Sequence, residues 1–419
     1  MHANVRLDHT LLAVEGEHDV HVMLEIAAPE PPGAADRPPV RVALVLDRSG
    51  SMRGEKLAVA KRCAAWLVDR LHSDDELALV DYDDQVRLRA PLAPVRPAAL
   101  RHALASIHSG GQTNLSGGWL KGLEQLRAAP TDGPRKIILL TDGLANVGIV
   151  EREPLAQLSA GARAAGVGTS TIGFGHSFDE DLLGAMADAG GGNYHYAETP
   201  DAAPGIFSAE LDGLTSVVAQ NVSVEIRPRD GVRMLRVLNE FPSVAVPGGV
   251  QVELPDAYGG ERRRVVFELH VPHLAQHGPV AIADLVLRYV TVGEEIAAHE
   301  VAIPVVANAV SAAEAAAVAP DHEVRDEVLV LKAARARDEA IRLADAGEYG
   351  SAQLLLREAA GELRRAGLGG EAAELDASAP TLDPATYSPA ARKQLHLQSN
   401  LRKRQRRRPT TPSRPPDAA

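Results

Sequence analysis

The sequence predicts an α/β domain, with a doubly wound and mostly parallel sheet, inserted into an all-β sandwich and followed by a C-terminal helical hairpin. Three observations point there. Between residues 40 and 214, continuous apolar strands alternate with segments of helical spacing, the pattern of a parallel sheet covered on both faces. Both flanks alternate apolar and polar residues instead, the period of strands with one buried face. Beyond residue 320 the chain becomes rich in Ala, Leu, Arg and Glu at helical spacing.

The first 30 residues read as a hairpin. Val5 to Val14 forms one arm, Gly16 the turn, and Val20, Val22, Leu24 and Ile26 the inward face of the other arm, with His21, Met23 and Glu25 opposite. Two strands alone are marginal, so the hairpin is expected to join the later sandwich. Pro29 to Pro39 reads as a linker. Val42 to Leu46 is a strand buried on both faces. Lys56 to Leu71 is a helix turning Leu57, Ala60, Ala64, Leu67, Val68 and Leu71 inward. A strand at Leu77 to Tyr82 follows, with Val86 to Leu88 folding back beside it. Helices over 97–107 and 115–126 lead to a second buried strand, Lys136 to Thr141. Helices over 155–165, 179–189 and 204–214 then alternate with strands over 168–173 and 193–196. Residues 215–308 revert to strands, too many for an appendage and suited to a β-sandwich. Residues 320–370 form the hairpin, broken at Gly347. Its Ala340, Leu343, Ala344, Gly347, Tyr349, Ala352 and Leu355 are similar to a tetratricopeptide unit, but one unit is not an array. Residues 380–419, with the run Arg402 to Arg408, are expected to be a disordered basic tail.

Composition narrows the function. The 419 residues are 45% hydrophobic, enough for a sizeable core. Aromatics at 3% argue against recognition of bases or sugars by ring stacking. The lone Cys63, expected as a small core side chain, excludes a disulfide framework and a cysteine-based metal site. No apolar signal-like core and no run of 18 apolar residues occurs, so no transmembrane segment is expected and the predicted location is cytoplasmic. The net charge is −12, with +8 concentrated in residues 391–419. An acidic body is a poor general binder of nucleic acid but tolerates divalent cations.

Chemistry concentrates on three loops. Asp47-Arg48-Ser49-Gly50-Ser51 follows the first buried strand and precedes a helix. Open α/β sheets bind ligands there, at the carboxyl ends of strands where strand order reverses. Gly110 to Asn114 offers the Thr113 hydroxyl, and Thr141-Asp142-Gly143 offers a second carboxylate. Hard oxygen donors suit Mg²⁺, or Mn²⁺ or Ca²⁺ in its place. Two carboxylates only balance the dication, and five side chains leave part of an octahedral shell open, electrophilic and suited to a partner's carboxylate.

These residues resemble the metal-ion-dependent adhesion site of the von Willebrand factor type A domain, with its Asp-x-Ser-x-Ser loop, distant Thr and distant Asp-Gly. Asp47, Ser49, Ser51, Thr113 and Asp142 match in order. The resemblance runs to about Leu214 and includes Thr171 to Gly175 and Gly190 to Tyr194. It implies metal-dependent binding of a protein partner that offers Asp or Glu, and a final helix, 204–214, that shifts with metal coordination. The layout also resembles bacterial multidomain proteins related to inter-α-trypsin inhibitor heavy chains. A non-enzymatic binding module is the expected function. The alternatives are a metal-dependent hydrolase, which needs a general base that no motif supplies, and a subunit of an ATPase-driven, chaperone-like complex. Ser49 stands where a dehalogenase-type phosphatase needs a second Asp, and Asp47 where a nucleophile elbow needs Gly. His299-Glu300 and His322-Glu323 lack the second His of a zinc protease. Asp81, Asp83 and Asp84 are expected as a solvated turn. His108, His176 and His195 are expected to lie outside metal chemistry, and Trp119 to pack.

Overall fold

Strand β4 (Arg41–Asp47) is buried along its whole length and forms the centre of a six-stranded sheet. Its neighbours are β5 (Glu76–Tyr82), β6 (Val86–Pro94), β7 (Arg135–Thr141), β8 (Val167–Phe174) and β9 (Gly191–Ala197), in the order β6-β5-β4-β7-β8-β9. All pairings are parallel except that of β6 with β5. The order reverses at β4, which makes the β4 and β7 carboxyl ends the natural crevice. The structure is a computed structural model and describes residues 1–30, 37–130, 133–175, 177–199, 202–292 and 297–403. Most of the expected linker, His176 and the tail beyond Lys403 therefore lie outside the described residues.

Alternate side chains of β4 serve two cores. Leu44 and Leu46 pack against α1 (Glu55–Val68), α2 (Pro97–Ala105) and α6 (Ala203–Thr215), whereas Ala43 and Val45 meet α3 (Leu115–Arg127), α4 (Arg152–Ala164) and α5 (Glu180–Ala189). Helix α3 lies close to the sheet because it carries glycine where it touches. A Cβ at Gly118 would collide with the Tyr82 ring, and one at Gly122 would stand 2.7 Å from a Val45 methyl.

The flanks build two antiparallel sheets. One has the order β1 (His2–Leu7), β3 (His18–Ala27), β15 (Arg262–Val271), β11 (Arg233–Val237). The other runs β12 (Ser243–Val246), β13 (Gly249–Glu253), β10 (Val217–Pro228), β16 (Gly278–Thr291), β17 (Ala298–Val310), β2 (Leu11–Ala13), with β14 (Ala257–Tyr258) pairing with β10. The expected hairpin is altered. β1 pairs with β3, but Leu11 to Ala13 leaves for the opposite sheet and runs parallel to the end of β17. β3 is interior to its sheet, pairing with β15 along its full length. Val20, Val22, Leu24 and Ile26 line the sandwich core.

The opposite face of β3 is not left to solvent. Met23 is fully buried with Val266, Leu238 and the Val324, Val328 and Leu331 side of α8 (His322–Asp345). The helical layer also exceeds a hairpin. After α7 (Ala312–Ala316) and α8 come α9 (Tyr349–Arg365), α10 (Gly369–Ser378) and α11 (Pro389–Lys403). Residues 389–403 are thus helical and docked, a correction to the expected disordered tail from residue 380. The reason is charge and burial together. Lys393 is 3% exposed, donates to the Phe178 carbonyl at 2.6 Å and pairs with Glu180. Arg392 pairs with Glu180 and Asp345, Lys403 pairs with Glu240 and Asp338, and Leu395 is buried. A run that reads as solvated basic residues meets acidic groups of all three layers. Among the described residues no helix is long and apolar enough to cross a membrane.

Candidate metal centre

At the end of β4 the chain turns through a short 3₁₀ segment, Gly50–Met52, into α1. Asp47 is fully buried there. Its Oδ1 accepts the Ser49 N–H at 2.7 Å, and its Oδ2 accepts the Thr141 hydroxyl at 2.5 Å. The Ser49 and Ser51 hydroxyls are 3.0 Å apart, and Ser51 Oγ donates to Asp142 Oδ1 at 2.7 Å. Thr113 joins from the third loop. Its N–H donates to Asn146 Oδ1 at 2.8 Å, and its carbonyl accepts the Asn146 N–H at 3.1 Å. A Cβ at Gly143 would lie 3.2 Å from Ser51 Oγ and 3.3 Å from Thr113 Oγ1, so both hydroxyls border one small space that a larger residue would crowd. All five sequence-predicted residues therefore converge at the carboxyl ends of β4 and β7. Asp47, Ser49, Thr113 and Asp142 are buried and Ser51 is exposed, so the cluster opens to solvent at one side.

The donor set fits a hard divalent cation: two carboxylates and three hydroxyls around a cradle that a side chain at residue 143 would fill. Electrostatics agree. Burial raises the Asp47 carboxyl to about 6, against hydrogen bonds from Thr141 and Ser49, and nearby Asp142 adds to the rise. A dication beside it would reverse that penalty. Among the described residues no three His, Cys, Asp or Glu side chains gather as a metal cluster; this site rests on hydroxyls as much as on carboxylates.

Several residues that hold the site escaped the sequence reading. Arg48, 5% exposed, donates to Asp81 at 3.0 Å and to Asp83 at 2.7 Å. Asp83 also accepts the Gly111 N–H at 3.0 Å, while Gly110 N donates to the Arg48 carbonyl at 2.7 Å. Arg48 thus ties the Asp47 loop to the loop carrying Thr113. Asp81 and Asp83 are buried partners in this arrangement, not a solvated turn. An arginine inside a loop at a strand end needs counter-charges when buried, and β5, the neighbouring strand, ends in aspartates; that was the available signal. Lys56 of α1 pairs with Asp142 Oδ2, a contact that no motif announced. Cys63 is a buried core residue, and Trp119 is fully buried with its indole donating to Thr169 Oγ1 at 3.1 Å. His195 bonds Glu210 at 2.7 Å, and the His108 ring bonds the Ser106 carbonyl at 2.8 Å.

Comparison with known proteins bears on the domain and its fold. The family profile described as "von Willebrand factor type A domain" matches residues 42–209. The protein sll0103 of Synechocystis is 27% identical over 263 residues, 60% of this chain and 62% of its own length. Mouse inter-alpha-trypsin inhibitor heavy chain H3 is 30% identical over 159 residues, 36% of this chain and 18% of its own. The chain thus spans less than two thirds of either relative. A solved structure, the von Willebrand factor type A protein from Catenulispora acidiphila, superposes with a TM-score of 0.74 at 18% identity, covering 95% of this chain and 96% of that one. The surrounding strands and helices are therefore part of a shared overall fold. This chain carries a von Willebrand factor type A domain at residues 42–209.

Proposed function

We propose that this protein is a non-enzymatic binding module in which Asp47, Ser49, Ser51, Thr113 and Asp142 hold Mg²⁺, with Mn²⁺ or Ca²⁺ able to substitute, and an Asp or Glu of a protein partner completes the shell. The von Willebrand factor type A domain is a general metal-dependent protein-interaction module, which supplies the class of function. The observation that carries the specific reading is the convergence of the Ser51 and Thr113 hydroxyls over Gly143, beside two carboxylates of which Asp47 has no cationic partner among the described residues. When bound, the ion supplies an electrophilic coordination position. The chain's own residues fix the donors: Arg48 and Asn146 hold the Thr113 loop, and Thr141 and the Ser49 N–H orient Asp47.

The test is an affinity capture with the full chain as bait, in Mg²⁺ and in chelator, with Asp47→Ala in parallel. The reading requires that wild type retains a partner only with the metal and that the variant retains none. Equal capture by all baits, or an unaltered Mn²⁺ isotherm for Asp47→Ala in calorimetry, would refute it.

A further inference from the structure

Asp142 has two carboxylate oxygens, and both are taken by the chain itself. Oδ1 accepts the Ser51 hydroxyl at 2.7 Å and Oδ2 is paired with the Lys56 ammonium. The carboxylate is fully buried, whereas the Lys56 side chain is 35% exposed. Lys56 sits in the first turn of α1, and its tail crosses the carboxyl ends of the sheet to reach β7. It lies over Gly175, at the end of β8, where a Cβ would stand 3.4 Å from Lys56 Cε. That glycine has a φ of +66°. The backbone beneath the ammonium is therefore held in the left-handed region, which favours glycine there.

The charge count around the cluster gives this contact its meaning. Asp47 and Asp142 supply two negative charges. Arg48, on the same loop as Asp47, is committed to Asp81 and Asp83. Lys56 is thus the charge that compensates the candidate metal centre, and it does so on a carboxylate of the donor set. We propose that Lys56 is a tethered cation that competes with the divalent ion for Asp142 and so sets the metal affinity of the domain. The proposal rests on the adhesion-site reading above. A divalent ion entering the cluster meets a positive charge already on Asp142. Either the ammonium leaves, breaking the ion pair, or it stays and repels the ion; both weaken binding. Because the lysine is partly exposed it can retreat into solvent. The penalty is accordingly that of a partly exposed salt bridge, not of a buried one. A merely positioning lysine predicts the opposite sign: by orienting Asp142 it would strengthen metal binding, and its loss would weaken it.

The experiment titrates the metal-free full chain with Mn²⁺ by calorimetry, comparing wild type with Lys56→Met, Lys56→Gln, Lys56→Arg and Asp142→Asn. Lys56→Met and Lys56→Gln are expected to bind Mn²⁺ roughly tenfold more tightly than wild type, equivalent to about 1.4 kcal/mol. Lys56→Arg, which keeps the charge, should stay near wild type. In the Asp142→Asn background, Lys56→Met should give no gain, since the contested carboxylate is gone. Thermal unfolding gives the same coupling from the other side. Metal-free Lys56→Met should melt below wild type because Asp142 has lost its counter-ion, and Mn²⁺ should raise its midpoint more than it raises wild type's. Equal or weaker Mn²⁺ binding by both neutral variants, with wild type binding normally, would overturn the competition and leave Lys56 a positioning residue. Absence of Mn²⁺ binding by every folded protein, wild type included, would instead overturn the metal site itself.

Discussion

Replacing Asp47 by asparagine removes one charge from a fully buried position while keeping the shape of the side chain. In Asp47→Asn the amide oxygen can still accept the Ser49 N–H. The new amide nitrogen then faces Thr141, whose hydroxyl can turn toward the Gly143 carbonyl 3.4 Å away. In the metal-free wild type, burial raises the carboxyl from 3.8 to about 6. A folded-state value above the unfolded one means that the folded chain holds the proton more tightly. The contribution of this one carboxyl to the stability of the metal-free fold is therefore fully present below pH ~4 and is lost as pH rises from about 4 to about 6. At 1.36 kcal/mol per pH unit the loss amounts to ~3 kcal/mol. Asp47→Asn abolishes this contribution, so in chelator at pH ~7.5 it should be more stable than wild type by ~1–3 kcal/mol, the lower figure allowing for the rearranged Thr141 bond. At pH ~4 the gap should close. For a domain of this size that is a midpoint about 2–8 °C higher at the upper pH, readable by scanning calorimetry of the full chain. The same variant should show no Mn²⁺ isotherm. A gain in stability identical at both pH values would refute the electrostatic reasoning, and normal metal binding would refute the site.

Three further outcomes are expected. Arg48→Met leaves Asp81 and Asp83 with one fewer cation in a buried setting and should destabilise the domain by ~3–5 kcal/mol in denaturant unfolding; Mn²⁺ affinity should also fall because the Thr113 loop is released. Gly143→Ala puts a methyl 3.2 Å from Ser51 Oγ and 3.3 Å from Thr113 Oγ1, so Mn²⁺ affinity should drop at least several-fold while the melting midpoint moves little. Deleting Met1 to Ala28 removes β3 from the interior of its sheet and uncovers Met23's partners on α8; the shortened chain should unfold at lower denaturant or aggregate, and unchanged unfolding would contradict the shared sandwich.

The parts of the fold that were legible in the sequence are those where one residue pattern serves one environment. β4 and β7 carry continuous apolar runs because both faces are covered, and their positions follow from that alone. The five candidate ligands could be picked out because loop motifs at strand ends are local. What escaped depends on pairing at a distance. β2 is three residues long and is fixed by the edge of β17, far along the chain. α11 holds few apolar side chains, and its order comes from acidic groups on α5, α8 and the sandwich, which the local composition does not display. Arg48, Asp81 and Asp83 look like surface residues one by one, and only their mutual placement inside the fold makes them a buried brace. Lys56 lies 86 residues from Asp142 in sequence, and nothing near either residue announces the other.

The five candidate ligands stand at the carboxyl end of the sheet, and the sandwich grips the domain near the opposite end. Glu210 of α6 is fully buried and accepts from Asn193 and His195, each at 2.7 Å, with Lys136 of β7 at 4.0 Å. Burial alone would raise this carboxyl, but Lys136, His195 and Asn193 outweigh it and hold it well below the usual carboxylate range. Lys136 in turn donates to the Tyr258 hydroxyl of β14 at 3.3 Å, and Arg163 of α4 donates to the Leu254 carbonyl at 2.6 Å. The helix that resemblance suggests would shift with metal coordination is therefore pinned by a buried charge network that reaches the sandwich. Withdrawing Glu210 from its partners costs ~3–5 kcal/mol, whereas coupling between two binding sites typically supplies ~1–3 kcal/mol. Because α6 runs directly into β10, any large movement would also have to carry the first strand of the sandwich with it. The balance favours a fixed α6. Under the proposed function, the sandwich and helical layer then act by holding the binding loops in one orientation, and regulation falls to the charges at the loops themselves.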